Sequence, residues 1–279
     1  MLTQVHDVTL LLDQLKLDLV ARTLIKNFAA WNARDDQWPI ALVDDPEKPR
    51  AAVFHGGANV HVIAAAELLP AILNDLLHHR VEQQPPWPDD AVRADWEKKG
   101  KPYLDFGLVN REVWRCAVRV GFADDPEEEK DDLAYFYYLT GEPRLAGWIK
   151  HPCRAIERGQ ELYELVRQGI DYDEDGKYTR KCLTQGPSFV CEVDGEPVCW
   201  SATHTGDMMG MIYTPQKYRR KGYARSLAAF QIDYMLGRDG IACALALDWN
   251  EASKRLLDSF GAEKLEQPIG WHIVYWPDE

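Results

Sequence analysis

One segment of this sequence limits the possible folds more than any other. The residues Ile241–Leu247 are almost wholly apolar, which is typical of a strand buried on both faces of a sheet. Residues 223–236 before it carry small and apolar side chains at helical spacing, and Asn250 after it is a favourable N-cap for a helix that ends near Gly261. A doubly buried strand between two helices predicts a mixed α/β unit.

The segments around this unit predict further strands. Residues 188–193 and 198–203 flank a turn signature at 194–197, Asp-Gly-Glu-Pro, and predict a β-hairpin. Residues 207–213 predict a third strand, and residues 269–276 predict the last one. The second half of the chain therefore contains strands, a loop leading into a helix, a buried strand, a helix and a strand.

The first half contains helix and strand patterns, but we identify no catalytic motif in it. Its predicted elements are a helix or helix pair at 8–30, a hairpin at 51–64, a helix at 65–80, strands near 103–109 and at 133–139, a solvated acidic loop at 124–132, and a helix at 155–167. We predict an N-terminal α/β domain of unknown role over residues 1–150 and a second domain over residues 155–279.

The charge balance excludes some classes of partner. The chain has 45 acidic and 32 basic residues and a formal charge of −13, so bulk attraction to nucleic acid or to an anionic membrane is not expected. The six cysteines are scattered without a C-x-x-C pair, which predicts free thiols rather than a disulfide framework or a metal site. We expect a cytoplasmic protein, monomeric or homodimeric.

A basic loop is the exception in this acidic chain. Residues 217–225 read Lys-Tyr-Arg-Arg-Lys-Gly-Tyr-Ala-Arg, and they follow a predicted strand and open a predicted helix. The first N–H groups of a helix lack intrahelical partners and, with the helix dipole, favour anions. Gly222 lets the backbone approach an anion closely, and Ala224 keeps the first turn small. The pattern predicts a pyrophosphate cradle; the alternative is a solvated basic helix start.

Two motifs resemble those of a known enzyme family. Residues 212–224 are similar to the acyl-CoA-binding motif of GCN5-related N-acetyltransferases (the GNAT superfamily), with Arg219, Gly222 and Ala224 at the specified positions. Residues 248–262, which begin Asp-Trp-Asn-Glu-Ala-Ser and end Gly-Ala, are similar to the second signature of the family. The resemblance covers about residues 160–279 and is greatest to the glycine N-acyltransferase-like branch.

The resemblance implies a fold and a cofactor. It implies a C-terminal GNAT fold with about six or seven strands, splayed open next to Thr214, after an N-terminal α/β domain. A degenerate copy of the same fold is one hypothesis for that N-terminal domain. The backbone of the strand end would pair with the pantetheine arm of acetyl-CoA or another acyl-CoA, and the basic loop would hold the pyrophosphate. The implied cofactor-binding residues are Ile212, Tyr213, Thr214, Arg219, Arg220, Lys221, Gly222, Tyr223, Ala224, Arg225, Asn250 and Ser253.

Asp207 is the candidate general base. A carboxylate beside the acyl group can take the proton that the acceptor amine loses before it attacks the thioester. Asp207 also matches an acidic position of glycine N-acyltransferase-like proteins, although a surface aspartate in a Thr-Gly-Asp turn is the alternative. His204 on the preceding strand is a second candidate, and a strand-end histidine without a function is the alternative for it.

The chain departs from the family at the general acid. Leu257 occupies the position where the family usually carries the tyrosine that protonates the leaving thiolate. Ser253, a water or Tyr223 are the remaining candidates for that proton.

Two further patterns have less weight. Residues 171–176, Asp-Tyr-Asp-Glu-Asp-Gly, resemble the start of a calcium loop, but its twelfth position is Cys182 instead of glutamate, so we expect an acidic loop. The aromatic residues 135–138 predict a strand in the core, or the lining of an acceptor pocket.

These observations lead to one main hypothesis and two alternatives. The main hypothesis is an acyl-CoA-dependent N-acyltransferase, acting by direct attack of the amine of a small molecule or amino acid and requiring no metal. The first alternative is a CoA-binding or sensor protein without turnover, which Leu257 motivates. The second is a scaffold whose N-terminal half binds a protein.

Overall fold

The computed structural model describes two compact units. Their bounds are Met1–Ala134 with Glu266–Glu279, and Tyr135–Leu265. The residues described are 2–5, 8–15, 22–23, 26–27, 40–56, 59–79, 103–124, 133–156, 159–169, 173, 175–204, 206–266 and 268–276. Within these ranges, no helix combines the length and the apolar character needed to cross a bilayer.

The first unit is a mixed sheet with helices. Strands β1 to β4 are sequential antiparallel neighbours, β5 joins β4 in parallel, and β14 and β6 follow antiparallel. The elements are β1 (Thr3–Val5), α1 (Val8–Gln14), β2 (Ile40–Val43), β3 (Ala51–Gly56), β4 (Asn59–Ala64), α2 (Leu69–His79), β5 (Tyr103–Asn110), α3 (Arg111–Val120), β6 (Ala123–Asp124) and β14 (Ile269–Tyr275).

The core of this unit lies between the sheet and helices α2 and α3. The apolar residues of α3 recur at helical spacing, because Val113, Cys116 and Ala117 lie three and four residues apart on one face. They pack with Leu73 of α2 and with Val274 of β14 in one buried cluster. The hairpin predicted at 51–64 and the strand predicted near 103–109 are confirmed.

The second unit contains a seven-stranded mixed sheet in the part of the chain described. The strand order is β13-β7-β12-β11-β10-β9-β8, with β11 parallel to β12 and β8 to β11 antiparallel. The elements are β7 (Ala134–Thr140), β8 (Cys153–Ile156), α4 (Tyr163–Arg167), α5 (Lys177–Gln185), β9 (Ser188–Val193), β10 (Glu196–His204), β11 (Met208–Tyr213), α6 (Tyr223–Asp239), β12 (Ile241–Leu247), α7 (Glu251–Ser259) and β13 (Glu263–Lys264).

The predicted hairpin is confirmed as β9 and β10. Val193 pairs with Glu196, so the turn is the two residues Asp194 and Gly195. Both have positive φ, 53° and 79°, which identifies a type I′ turn whose twist matches that of the strands. Asp-Gly is a favoured sequence for this turn because both positions require the left-handed region.

The predicted buried strand is also confirmed. Ala242, Ala244 and Ala246 of β12 pack in one cluster with Ile232 of α6 and Leu257 of α7. Ile241 and Cys243, which alternate with them, are buried as well, so β12 is covered on both faces. The small alanine side chains let the helices approach the sheet closely.

The helix predicted at 155–167 is wrong in its first half. Residues Cys153–Ile156 form β8, which pairs antiparallel with β9, and α4 begins only at Tyr163. Pairing with a strand distant in sequence outweighs the local helical spacing. At Gly159 a side chain would overlap that of Ser188, so the chain turns closely over β9 before the helix begins.

The last strand is confirmed, but it lies in the first unit. β14 pairs antiparallel with β5, with Ile273 opposite Asp105, whereas the sequence analysis grouped residues 269–276 with the second domain. The buried Val274, Tyr275 and Trp276 complete the core of the first unit. Of the helix or helix pair predicted at 8–30, the structure describes α1 and short helical pieces at 22–23 and 26–27. The helix predicted at 65–80 begins at Leu69. Residues 125–132 of the predicted acidic loop lie outside the described residues.

Candidate active site

A β-bulge interrupts β11 near its C-terminal end. Trp200 pairs with Tyr213 and Ala202 with Gly210, so β11 uses one residue more than β10 over the same stretch. The extra residue is Met211, whose φ of 51° lies in the left-handed region. A bulge of this kind leaves backbone groups outside the ladder, where a ligand can use them. The sequence analysis did not identify the bulge, because it depends on the register between β10 and β11.

β11 also separates from β12 near the bulge. The two parallel strands pair at Met209 and Ala244, and within the described residues no ladder pair joins Met211–Tyr213 to β12. The backbone of Ile212 and Tyr213 is therefore available to an extended ligand lying between the strands, as an added strand would lie.

The basic loop leads into a helix whose first N–H groups have no intrahelical acceptor. Gly222 is the N-cap of α6 with a φ of 87°, and the first intrahelical bond is from Ser226 N to Gly222 O, at 3.0 Å. The N–H groups of the residues between them, Tyr223, Ala224 and Arg225, precede that bond and have no intrahelical acceptor. Gly222 suits this position because a left-handed N-cap strains any residue with a Cβ.

Two neighbouring segments hold the loop in place. Arg219 Nε donates to Thr214 O at 2.9 Å, which joins the loop to the end of β11. His151 Nε2 lies 3.0 Å from Lys221 O, and Lys150 N donates to Ser226 Oγ at 3.0 Å. The residues leading into β8 therefore support the loop from its other side.

The cations of the loop are exposed and unpaired. Among the described residues none of them forms an ion pair with a carboxylate, although such pairs are frequent elsewhere in the unit. Lys217 and Arg225 lie over aromatic rings, at 4.6 Å from the centre of the Tyr218 ring and 5.2 Å from that of Trp148. The five cations are Lys217, Arg219, Arg220, Lys221 and Arg225.

The helix after β12 has the predicted cap. Asn250 Oδ1 accepts a hydrogen bond from Ser253 N at 3.1 Å, which is the usual N-cap geometry. Ser253 is half-buried in the first turn of α7, and Gly261 follows the helix with a φ of 74°. Leu257 is buried in the core, where it presents no group that can donate a proton.

Asp207 lies in the turn that precedes β11. Its backbone has a φ of 56°, and its Oδ2 accepts a hydrogen bond from Arg238 Nη2 at 2.9 Å. Arg238 also binds Asp239, so one guanidinium holds two carboxylates. The carboxylate of Asp207 is thus oriented at the start of β11, and Thr214 follows the other end of the same strand.

His204 has a partner that the sequence analysis missed. Tyr178 Oη of α5 lies 2.9 Å from His204 Nδ1, and the two rings stack with centres 5.9 Å apart. The imidazole covers Gly210, where a Cβ would overlap its ring. Gly210 precedes the bulge, so the pair lies beside the bulged segment of β11. Burial lowers the pKa of His204 to about 4, so the imidazole is neutral near pH 7.

This burial makes stability depend on pH. The folded-state pKa of His204, about 4, lies below its ordinary value of about 6.5, so the unfolded chain binds the extra proton between these values. We expect the free energy of unfolding to fall as pH falls from about 6.5 toward 4. Urea unfolding at several pH values gives the free energy of unfolding as a function of pH. The slope of that free energy against pH should correspond to about one proton less in His204→Gln than in the wild type. Equal slopes would contradict a buried neutral imidazole.

In the segment that resembles a calcium loop, Asp173 forms hydrogen bonds that hold the start of α5. Asp173 is buried, and its Oδ2 accepts hydrogen bonds from Thr179 N at 2.7 Å and Thr179 Oγ1 at 2.5 Å, while Oδ1 accepts from Tyr178 N at 3.3 Å. It therefore binds the first turn of α5. Residues 171, 172 and 174 lie outside the described residues, and no group of acidic, histidine or cysteine side chains suited to a metal ion occurs in the described ranges.

The aromatic run at 135–138 forms part of β7, as predicted. Phe136 and Tyr137 are buried, and Tyr138 Oη donates to Glu263 Oε2 of β13 at 2.8 Å. These contacts account for the run as strand and core.

The first unit contains the same order of strands and helix as the second unit, but it lacks the basic loop. In each unit two antiparallel strands, β3 and β4 or β10 and β11, precede a helix and a strand parallel to the second of them. The connection from β4 to α2 reads Ala-Ala-Glu-Leu, without a glycine or a basic residue. An anion cradle of the kind found at Gly222 has no counterpart there.

Comparison with known proteins agrees with this geometry. Residues 154–262 match the model of the Acetyltransferase (GNAT) family. This C-terminal region is therefore similar to the GNAT family. Two human proteins are similar over about half of the chain: glycine N-acyltransferase-like protein 1 and its relative 1B, each 23% identical and matched over 150 and 152 residues. The matched part is 48% of this chain and 49% of each relative, so the chain spans about half the length of the curated relatives it matches.

Two solved structures show the fold over the whole chain. A Drosophila protein is 16% identical with a TM-score of 0.62, covering 100% of this chain and 99% of that one. A tandem GNAT protein from the clavulanic acid biosynthesis pathway is 10% identical with a TM-score of 0.56 and the same coverage. The mixed α/β class and the C-terminal GNAT fold are therefore confirmed. The individual roles of the predicted site residues remain predictions.

Proposed function

We propose that the C-terminal unit transfers the acyl group of an acyl-CoA, with acetyl-CoA as the expected donor, to the amine of a small molecule or an amino acid. The observation that carries this proposal is the loop at the start of α6. It combines free helix N–H groups, a left-handed glycine and five exposed cations beside a strand that has left its parallel neighbour. These features fit a diphosphate and an extended pantetheine arm.

The residues have distinct roles in this proposal. The cradle, Arg219 to Arg225, holds the diphosphate, and the backbone of Ile212, Tyr213 and Thr214 pairs with the pantetheine. Asn250 and Ser253 face it from α7. Asp207 accepts the proton of the acceptor amine, directly or through a water. The amine nitrogen then bonds to the thioester carbonyl carbon, the C–S bond breaks, and the products are an amide and CoA with its free thiol.

The departing sulfur requires a proton that Leu257 does not supply. Ser253 in the first turn of α7 is the candidate donor from this chain. Because Leu257 lies in the core, the alternative of a CoA-binding protein without turnover has a specific observation in its favour. A thiol-release assay with acetyl-CoA and a library of amines and amino acids separates the two. CoA binding without thiol release from any member of the library would favour the alternative.

The wider assignments follow from the same proposal. The N-terminal unit is proposed to be a degenerate copy of the GNAT fold, which its strand order and the full-length likeness to a tandem GNAT structure support. Its connection at 65–68 supplies no cradle, so we assign the acyl-CoA to the C-terminal unit alone. A cytoplasmic, monomeric or homodimeric protein acting on small molecules remains our expectation.

The cradle is tested by removing two of its charges. Arg220→Ala with Lys221→Ala should weaken binding of CoA by at least about tenfold for each residue, since charge-assisted hydrogen bonds contribute roughly 1.5–3 kcal/mol each. Both side chains are exposed, so folding should be unchanged. Isothermal titration calorimetry with CoA measures the affinity.

The matched control removes the same charge elsewhere. Lys48→Ala with Arg119→Ala takes two exposed cations from the first unit, and it should leave CoA affinity unchanged. A folded Arg220→Ala/Lys221→Ala protein with wild-type affinity would refute the cradle assignment. An equal loss in both double variants would show a general effect of net charge instead.

A further inference from the structure

Three cysteines lie side by side across three neighbouring strands of the second unit. Cys153 of β8 is opposite Cys191 of β9, and Cys191 is opposite Cys199 of β10. Residues directly opposite in an antiparallel sheet share a face, so the three thiols form one row. All six cysteines of the chain are free, and Cys153 is the one that is not fully buried.

Cys153 and Cys191 are paired in a way that allows a disulfide to form between them. Glu192 N donates to Pro152 O at 3.1 Å, which makes Cys153 and Cys191 a non-hydrogen-bonded pair of the ladder. Such pairs have Cα atoms about 4.5 Å apart and side chains close together, within the range of about 4.4–6.8 Å that disulfides span. Each thiol perturbs the pKa of the other, as expected for neighbouring side chains.

The electrostatics of the pair favour reaction. Interaction with Cys153 lowers the pKa of Cys191, whereas interaction with Cys191 and burial raise the pKa of Cys153, so the thiolate forms on Cys191. β8 is the last strand of the described sheet order, and Cys153 on it is half-buried, which gives a small oxidant access.

The pair is also connected to the cofactor loop. His151 and Lys150, just before Cys153, contact Lys221 O and Ser226 Oγ of the cradle. At the other end of the row, Thr214 Oγ1 donates to Cys199 Sγ at 3.1 Å. The same apolar cluster contains Cys191, Cys199 and Tyr223. These contacts connect β8 and the row of cysteines to the loop that we assign to the diphosphate.

We propose that Cys153 and Cys191 form a reversible oxidation site. Hydroperoxides oxidise the two thiols to a disulfide, and this disulfide weakens acyl-CoA binding at the adjacent loop. The Cys191 thiolate attacks hydrogen peroxide, becoming a sulfenic acid and releasing water after protonation. The Cys153 sulfur then displaces a second water and forms the S–S bond. In total two thiols lose two hydrogen atoms and one peroxide becomes two waters. A dithiol reductant reverses the step. The effect on acyl-CoA rests on the proposed function, whereas the disulfide does not.

The disulfide is tested by mass spectrometry of the full chain. After brief treatment with hydrogen peroxide, we expect a mass lower by two hydrogen atoms and a cross-linked peptide joining Cys153 to Cys191, both lost with dithiothreitol. Cys153→Ser and Cys191→Ser should abolish the cross-link, whereas Cys243→Ser, a buried cysteine outside the row, should retain it. Six intact thiols after peroxide, or Cys191 oxidised to a sulfinic acid without a cross-link, would overturn the proposal.

The link to the cofactor loop is tested by CoA titration of the same samples. We expect the oxidised protein to bind CoA several-fold more weakly than the reduced protein, and peroxide to have no such effect on Cys153→Ser. A cross-link that leaves CoA affinity unchanged would overturn the coupling. Absence of CoA binding by the reduced protein would instead refute the proposed function, and the disulfide would still be read from its mass.

Discussion

Asp207→Asn should lower kcat by about 10²–10⁴-fold at neutral pH, with CoA affinity nearly unchanged, because the amide keeps the size of the carboxylate but cannot take a proton. The hydrogen bond from Arg238 to Oδ2 can be kept by the amide oxygen, so the turn before β11 should retain its conformation. The assay is thiol release from acetyl-CoA with the best acceptor from the library. Raising the pH should recover part of the rate, because more of the amine then arrives deprotonated.

The structure supplies a matched control for this variant. Asp239 binds the same guanidinium as Asp207, so Asp239→Asn removes an equal charge from Arg238 while leaving the candidate base in place. We expect Asp239→Asn to retain kcat within a few-fold. If Asp207→Asn has wild-type kcat across the pH range, Asp207 is not the base. Equal losses in both variants would assign the effect to the charge around Arg238.

Asp173→Ala should destabilise the protein by about 2–3 kcal/mol, because it removes charge-assisted hydrogen bonds at a buried site. Thr179 has no exposed surface, and its N–H and hydroxyl both donate to Asp173. Without the carboxylate they lose these bonds where water cannot replace them. Urea unfolding followed by tryptophan fluorescence measures the loss.

A nearby aspartate is the control for that prediction. Asp175 is two residues further on and exposed, and it accepts a hydrogen bond from Lys177 N and pairs with the Lys177 side chain at the surface. We expect Asp175→Ala to change stability by less than about 1 kcal/mol, as exposed ion pairs contribute little. If the two variants are equally stable, the buried cap at Asp173 does not stabilise α5.

The part of the site encoded in consecutive residues could be predicted from the sequence. The glycine and cations of 217–225 precede a helix, and the N–H groups at its start follow from helix geometry alone. Asn250 was identified as an N-cap because its side chain acts on a residue three positions away. Asp194 and Gly195 were identified as a turn because the two-residue turn requires positive φ. Each of these features depends on a few adjacent residues.

The features that the sequence analysis missed depend on pairing between distant segments. The bulge at Met211 exists only because β10 and β11 differ by one residue in register. The Tyr178–His204 contact joins α5 to β10, and the ion pair of Asp207 joins a turn to the end of α6. Ala155 and Ile156 were predicted to begin a helix, yet they lie in a strand because they pair with β9.

The sequence by itself determined the α/β class, the strand buried on both faces, the caps and turns, and the basic loop at a helix start. Periodicity and local backbone conformation set these features, and both can be read from neighbouring residues. Only the tertiary structure decided that the last strand completes the first unit, which carboxylates share Arg238, and that Cys153, Cys191 and Cys199 stand in one row. Strand register and burial depend on how segments far apart in the chain pair and pack together. They therefore cannot be deduced from any one segment alone.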